Sequence, residues 1–368
     1  MKPIICVVLL FIISLFLTSS YAQEIKKAKS NLTSENENNS LIKNIEENSS
    51  LFPNNTQISI AIIDGANTKY IGVIRKNDVL EFTDNKNKVF EIGSISKVFT
   101  SVLFSHFINE KKASLDEKVQ NTFDFELKNG KAITLQQLTN HTSGLPRIPS
   151  NMAGSMLSFN NPYVNYTPKL LETYLTKSIK LENPIGTKSA YSNLGAGLLG
   201  YILTKKSGKS YENLLQEIIF KPLQMNSSSA ILKKLKDIPL VYGLNANGTQ
   251  ASNWDFTDAL VGAGGIKSTM VDMEKFARKN FEKNALYSLP QQPTFKISNH
   301  LKMGMGWHIS TPKEKSFLWH NGGTGGYRSC MVIDKENKKS IIVLSNVSAF
   351  NKQSGNIDKL CFSLLKNL

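Results

Sequence analysis

Cysteine is scarce in this chain, which has 3 cysteines among 368 residues. Cys6 lies in the apolar segment at the start of the chain, so only Cys330 and Cys361 remain for the rest. Two cysteines cannot define the disulfide framework on which small secreted domains depend. Cys330 lies in a strand-like run and Cys361 on an apolar helix face. Both settings favour buried free thiols, although a disulfide between the two stays open.

Recognisable metal-binding spacing is missing as well. None of the 5 histidines stands in a His-Glu-x-x-His pattern, so the sequence predicts no metal site and no cofactor. His141 is expected to brace a loop. The Gly-x-Ser-x-Gly signature of a hydrolase elbow does not occur around Ser94, because Ile92 and Ser96 occupy the glycine positions.

Acidic residues are outnumbered, with 29 Asp and Glu against 44 Lys and Arg and a formal net charge of +15. The lysines are scattered, and no basic run interleaved with aromatic residues occurs. This pattern indicates a solvated basic surface and no nucleic-acid partner. Attraction to an anionic envelope polymer stays open.

Long apolar runs are confined to the beginning of the chain. Met1-Lys2 is followed by the almost wholly apolar Ile4–Phe16 and by Ser20-Tyr21-Ala22, a small-x-small cleavage pattern. This arrangement is typical of a secretory signal peptide over residues 1–22. The apolar core is shorter than the roughly 20 residues that cross a bilayer. We therefore expect cleavage near Ala22, a secreted or periplasmic protein, and no stable membrane anchor.

The remainder divides into a lead-in and one domain. Residues 23–50 are polar and are expected to be flexible, with a short helix at the end, Leu41–Leu51. Residues 51–368 are expected to form a single domain whose sheet is built from both ends of the chain, with a helical insertion at about residues 110–260.

Alternating apolar residues predict the strands of this domain. The first two are a β-hairpin, Gln57–Ile63 and Tyr70–Ile74, joined at Asp64-Gly65. Four antiparallel strands and a covering helix are predicted near the end of the chain: Gly304–Ile309, Phe317–His320, Arg328–Asp334, Ser340–Ser345 and helix Ile357–Leu365. Between the two sets the pattern is helical, with a capping box at Thr134 and Gln137 and a helical region from Thr167 to Leu223.

One Ser-x-x-Lys tetrapeptide stands out, Ser94 with Lys97. The same spacing also occurs elsewhere, at Ser40/Lys43, Ser310/Lys313 and Ser363/Lys366. Only Ser94 follows a glycine and begins a long apolar-periodic stretch that can bury a helix. Positions three apart share a helix face, so Lys97 is expected beside the Ser94 hydroxyl. Burial would lower the pKa of Lys97 and let the neutral amine deprotonate the serine.

Two later clusters supply the other parts of an acyl-transfer site. Tyr191 is predicted to be a second proton carrier, and Asn193 to hold Lys97 or the substrate carbonyl. The run His320-Asn321-Gly322-Gly323 closes an apolar strand, where glycine lets the backbone approach a ligand. The amides of Gly323 and Ser94 are predicted to form an oxyanion pocket bordered by His320. Alternatively, Tyr191 only caps a loop, and the glycines after Asn321 only form a turn.

Together these clusters resemble the penicillin-recognising serine hydrolases, in particular the class C β-lactamases and the related D,D-carboxypeptidases and esterases. The resemblance spans roughly Ile58 to Leu365 and includes two further segments, Leu138–Pro146 and Gly262–Thr269. It implies an α/β fold of the β-lactamase/D,D-peptidase type, with a central antiparallel sheet flanked by helices and an inserted all-α region. It also implies an acyl-enzyme on Ser94.

His320 departs from the family pattern, because dedicated β-lactamases usually carry lysine at this position. Histidine there resembles the carboxypeptidase and esterase branches of the family. Arg328 is a candidate for the missing positive charge. The expected substrates are therefore β-lactams or D-alanyl-D-alanine-type peptidoglycan peptides, with no nucleic acid bound and a monomeric protein. An esterase, or a noncatalytic protein that binds penicillin or an envelope polymer, is the alternative.

Overall fold

The structure is a computed structural model that describes residues 39–152 and 160–368, with the side chain of Glu314 excepted. The predicted signal peptide, residues 1–22, and most of the predicted lead-in lie outside the described residues. Two compact units divide the chain, Met1–Asn48 and Ser49–Leu368. The described end of the first unit is helical, and residues 39–49 form a helix (α1) as the sequence predicts for Leu41–Leu51.

A nine-stranded antiparallel sheet organises the second unit. Its strands are β1 (Gln57–Asp64), β2 (Asn67–Lys76), β3 (Val79–Phe82), β6 (Phe295–Lys296), β7 (Leu301–Met303), β8 (His308–Ser310), β9 (Phe317–Gly323), β10 (Arg328–Asp334) and β11 (Lys339–Ser345). A separate pair consists of β4 (Phe90–Glu91) and β5 (Lys267–Ser268). The nine strands run in the order β3-β2-β1-β11-β10-β9-β8-β7-β6, so β1 pairs with β11 and both ends of the domain share one sheet, as predicted.

The predicted hairpin is confirmed, because β1 pairs with β2 in antiparallel register from Gln57 opposite Ile74 to Asp64 opposite Asn67. The predicted strand Gly304–Ile309 is wrong at its start. Gly306 has a φ of +70°, and a β-carbon there would lie 2.8 Å from the Lys97 carbonyl. The segment therefore turns against the helix that carries Lys97, and the strand begins only at His308.

The helices are α2 (Ser96–Asn109), α3 (Leu135–Thr139), α4 (Pro168–Lys177), α5 (Asn193–Ser207), α6 (Tyr211–Leu215), α7 (Met270–Lys279), α8 (Ala285–Ser288) and α9 (Gly355–Lys366). The predicted capping box is present at the start of α3, where Thr134 and Gln137 satisfy each other's backbone amides. Helix α2 is buried on nearly every side and lies at the centre of the large hydrophobic core. A residue on its first turn is therefore held rigidly.

Both faces of the sheet are covered. Met331 and Ile333 of β10 belong to the large core, whereas their neighbours Cys330 and Val332 point to the opposite face because strand side chains alternate. On that opposite face α9 packs on β10 and β11, and Cys361 donates a hydrogen bond to the carbonyl of Ile341. Cys330 and Cys361 are both buried free thiols, as the sequence favours. Within the described part of the chain, no helix has the length and apolar character needed to cross a bilayer.

Candidate active site

Ser94 lies in a tight 3₁₀ turn, Gly93–Ile95, that leads into α2. Gly93 has a φ of +51°, and a β-carbon on it would lie 2.5 Å from the amide nitrogen of Gly323. Both observations require glycine, because other residues rarely adopt this conformation and no side chain fits there. The turn thus brings Ser94 against the end of β9.

The Ser94 hydroxyl contacts two proton carriers. Tyr191 donates a hydrogen bond of 2.5 Å to Ser94 Oγ, and Lys97 Nζ lies 3.0 Å from the same oxygen. Lys97 Nζ also lies 2.8 Å from Asn193 Oδ1 and 2.6 Å from the carbonyl oxygen of Ala263. A neutral amine satisfies all three neighbours by donating to the two acceptors and accepting from the serine.

The electrostatics around Lys97 favour that neutral form. The side chain is almost completely buried, with 2% of its surface exposed. Burial first, and the nearby charge of Arg147 second, lower the pKa of Lys97 well below its ordinary value of 10.5. Lys97 therefore has the properties of a base directed at Ser94.

Tyr191 has the opposite tendency. Burial raises the pKa of Tyr191 to about 12, although its hydrogen bond to Ser94 and the charge of Arg147 act in the lowering direction. A nearby cation would favour the phenolate. Lys97 Nζ does lie 4.6 Å from the centre of the Tyr191 ring, but a lysine held neutral gives little such help. The phenol stays protonated and is a proton donor to the serine.

The segment Leu138–Pro146 holds Tyr191 in place. Ser192 donates a backbone hydrogen bond of 3.2 Å to His141 Nδ1 and a side-chain hydrogen bond of 2.6 Å to the carbonyl of Pro146. The amide of Ala190 bonds the carbonyl of His141 at 2.8 Å. His141 thus braces a loop, as predicted from the sequence. Ser192 also caps α5, which fixes Asn193 on the first turn of that helix.

Strand β9 brings only part of its predicted cluster to the cavity beside Ser94. Gly323 lines this cavity, and a β-carbon on Gly322 would lie 2.0 Å from the carbonyl of Ile92. His320 is fully buried behind Tyr191, with 6.4 Å between the ring centres. The side-chain amide of Asn321 donates a hydrogen bond of 2.8 Å to the carboxylate of Asp358 on α9. His320 therefore borders Tyr191 and not the cavity wall, and the Asn321 side chain is directed to α9.

His320 carries no positive charge for a substrate. Burial, and the neighbouring His308 and Lys97, lower the pKa of His320 well below its ordinary value of 6.5. Its Nδ1 lies 2.5 Å from the carbonyl of Asn321, an arrangement that places the proton on Nδ1. Arg328, the sequence-based candidate for the missing charge, is half-buried and forms an ion pair with Asp358.

The cavity in front of Ser94 has a volume of about 930 Å³. Its aromatic wall consists of Tyr163, Trp254 and Phe350, and Asn193 contributes an amide that also donates to Tyr163 Oη at 3.1 Å. A cavity of this size and mixed lining suits a small molecule or a peptide end.

The sequence reasoning missed two residues of this cavity, Tyr163 and Arg147. The Cζ atom of Arg147 lies 5.1 Å from the centre of the Tyr191 ring. A signal for it was available, since Arg147 directly follows the family-like segment Leu138–Pro146. Tyr163 and Asn165 repeat the Tyr-x-Asn spacing of Tyr191 and Asn193. Tyr211 and Asn213 repeat it too, so the spacing alone does not distinguish Tyr163 from a chance match.

Comparisons with known proteins agree with this architecture. A family model described as Beta-lactamase matches residues 58–360. The D-alanyl-D-alanine-carboxypeptidase/endopeptidase AmpH of Escherichia coli (strain K12) is 25% identical over 338 residues, which cover 85% of this chain and 86% of AmpH. A penicillin-binding protein of Bacillus subtilis (strain 168) is 24% identical over 282 residues, which cover 71% of this chain but only 61% of that protein.

Among solved structures, a crystal structure of a class C beta-lactamase matches with a TM-score of 0.73 at 20% identity. The match covers 91% of this chain and 98% of the other. At this level of identity the likeness shows the fold, which is the mixed α/β architecture predicted from the sequence.

Proposed function

Because this chain belongs to the beta-lactamase family, whose model matches residues 58–360, we propose that it is a serine hydrolase that forms an acyl-enzyme on Ser94. The proposed substrates are β-lactams or peptides ending in D-alanyl-D-alanine. One observation carries the proposal: Ser94 Oγ lies at the wall of the cavity, 3.0 Å from a buried lysine amine and 2.5 Å from the phenol of the half-buried Tyr191.

In the first step, the geometry supports separate roles for Lys97 and for the backbone amides. As Ser94 Oγ attacks the carbonyl carbon, neutral Lys97 takes its proton and becomes an ammonium that Asn193 Oδ1 and the Ala263 carbonyl stabilise. The negative charge that develops on the carbonyl oxygen is expected to be bound by the backbone amides of Ser94 and Gly323.

The leaving group then needs a proton. The Tyr191 hydroxyl is directed at Ser94 Oγ, so it lies beside the bond that breaks and is placed to protonate the departing nitrogen or oxygen. Lys97 restores the proton to Tyr191, and water hydrolyses the acyl-enzyme in the second half of the reaction. No step in this scheme needs His320 to be charged.

An esterase of the same family is the second candidate. Its supporting observation is the neutral His320 of strand β9. Without a cation on this strand, the site attracts substrates that carry a carboxylate less strongly. A noncatalytic penicillin- or polymer-binding protein is less well supported, since Ser94, Lys97 and Tyr191 form the contacts that acyl transfer requires.

Intact mass after brief exposure to benzylpenicillin tests the proposal, with antibiotic loss followed in the same sample. We expect either a lasting adduct or rapid hydrolysis, and Ser94→Ala abolishes both. The control is Ser363→Ala, which removes the serine of a Ser-x-x-Lys spacing on α9, away from the cavity. A neutral ester hydrolysed in a Ser94-dependent way without any reaction with penicillin would favour the esterase. No Ser94-dependent reaction with either compound would leave the noncatalytic protein.

Export belongs to the same proposal, because peptidoglycan peptides lie outside the cytoplasmic membrane. We propose that residues 1–22 direct secretion or transport to the periplasm and are removed. The mass of the protein recovered from culture medium or from a periplasmic extract tests this, and a recovered chain that retains Met1–Ala22 in the cytoplasm would contradict it.

A further inference from the structure

Arg147 is the only charged residue among the described residues that line the cavity in front of Ser94. The rest of the lining is amide, hydroxyl, glycine and apolar or aromatic. Residues 153–159, whose placement is not described, contain no charged residue in the sequence. A single permanent charge in a largely neutral cavity has a strong effect on which ligands enter it.

The main chain of Arg147 is fixed, whereas its side chain is exposed. Its carbonyl accepts hydrogen bonds from the amides of Asn193 and Leu194 at 2.9 and 3.2 Å, which fastens it to the first turn of α5. The guanidinium lies over the ring of Tyr191, the residue that donates to Ser94 Oγ. Across the described part of the chain, no carboxylate forms an ion pair with Arg147. The group is therefore held near the reacting oxygen with its donors available.

The other lysine and arginine side chains around the site already have partners. Arg328 forms an ion pair with Asp358 on α9. Lys267 is buried and donates to the carbonyl of Trp254 at 2.8 Å, with Asp255 at 3.4 Å. Lys97 is occupied by Ser94, Asn193 and Ala263. Arg147 is left as the cation that faces the cavity.

We propose that Arg147 binds a carboxylate of the substrate and thereby selects anionic substrates over neutral ones at the Ser94 site. The inference rests on the proposed function, which it makes more specific. A guanidinium presents a planar pair of donors that matches a carboxylate in two parallel hydrogen bonds. Contact with Tyr191 places that carboxylate on the same side of the cavity as the reacting carbonyl.

Two sources of the carboxylate share this chemistry: the acid on the fused ring of a penicillin, and the free C-terminus of a D-alanyl-D-alanine peptide. Paired probes separate them. Benzylpenicillin is compared with its methyl ester in acylation. N-acetyl-D-alanyl-D-alanine is compared with its C-terminal amide in calorimetric binding to the Ser94→Ala protein.

In the acylation experiment, Arg147→Met is expected to lower the second-order rate constant for benzylpenicillin by about 10- to 100-fold, the usual range for a lost charged hydrogen bond. The methyl ester should lose much less than the acid, and a loss common to both probes reports the effect of the Arg147 charge on Lys97. Arg147→Lys should recover part of the loss. The matched control is Lys188→Met, which removes an exposed charge three residues before Tyr191 without altering the cavity lining.

In the binding experiment, the peptide acid should bind more tightly than the amide, and Arg147→Met should remove that preference. Equal slowing of the penicillin and its ester by Arg147→Met would overturn the inference, because it would indicate a structural role. A selective loss in Arg328→Met with none in Arg147→Met would also overturn it.

The two proposals fail in different ways. If neither penicillin probe acylates Ser94 while the acid is still bound through Arg147, the proposed chemistry fails and the carboxylate site stands. If acylation depends on Ser94 but the acid and the amide bind equally, the chemistry stands and the carboxylate site is overturned.

Discussion

The phenol of Tyr191 donates a 2.5 Å hydrogen bond to Ser94 Oγ across a sequence separation of 97 residues. That contact depends on two independent turns, the glycine turn before α2 and the loop that His141 braces. Ser94 stands in the Ser-x-x-Lys motif at the start of a helix, whereas Tyr191 is marked only by the short Tyr-x-Asn triplet.

Tyr191→Phe should slow acylation by about 100-fold or more, within the range found for loss of a general acid or base. Phenylalanine keeps the ring and its packing against His141, so the melting temperature should change little. The rate of penicillin adduct formation is the measurement, with Tyr242→Phe as the control because that side chain is 59% exposed. Equal rates in wild type and Tyr191→Phe would show that the leaving group receives its proton from another donor.

The pH dependence of acylation should follow Lys97. The amine must be neutral to accept the serine proton, and burial lowers its pKa well below 10.5, so the rate should rise with pH along a limb centred below that value. Tyr191 has a pKa of about 12, and its ionisation should cause no loss of rate up to about pH 10. A rate that falls as the pH rises from neutrality would contradict Lys97 as the base. The neutral methyl ester of benzylpenicillin is the suitable probe, because its own charge does not change.

Asn193→Asp is a second test of Lys97 as the base, because it changes a direct neighbour of the lysine amine. Asn193 Oδ1 lies 2.8 Å from Lys97 Nζ, so a carboxylate there would stabilise the ammonium and raise the pKa of Lys97 by about 1 to 3 units. The ascending limb of the pH profile should move to higher pH by that amount, and the rate near neutral pH should fall. Asn165→Asp, in another Tyr-x-Asn triplet, is the control, since that side chain is exposed. An unshifted limb in Asn193→Asp would mean that the limb reports a group other than Lys97.

Local patterns account for what the sequence could predict. Ser94 and Lys97 lie three residues apart at the start of a helix, and that spacing alone brings their side chains together. The hairpin and the capping box have equally local signals.

Contacts between distant segments are what the sequence could not supply. The turn at Gly306 exists because it packs on the carbonyl of Lys97, and nothing within Gly304–Ile309 reveals that neighbour. His320 and Asn321 share a motif, yet strand alternation turns the first toward Tyr191 and the second toward Asp358. Arg147 belongs to no recognisable catalytic motif. It is a candidate carboxylate-binding residue because the rest of the described cavity wall carries no charge.

Three histidines near the site, the buried His141 and His320 and the half-buried His308, should make the fold sensitive to mild acid. Burial lowers the pKa of His308 to about 4 and holds the pKa values of His141 and His320 well below 6.5. The unfolded chain takes up these protons at about pH 6.5, whereas the folded chain resists them, so unfolding becomes easier as the pH falls from about 6.5 to 4. Below the folded pKa both states are protonated and the loss from that group is complete.

His308→Phe should flatten this acid loss. The ring of His308 stacks on Trp319 at 4.3 Å, its Nδ1 has no hydrogen-bond partner among the described residues, and phenylalanine preserves the stacking. The free energy of unfolding should then lose about 3 kcal/mol less than wild type between pH 7 and pH 4. Denaturant titrations at the two pH values measure it, with His300→Phe as the control because His300 is exposed. Parallel losses in wild type and His308→Phe would place the acid sensitivity on other groups, of which the fully buried His141 and His320 are the next to test.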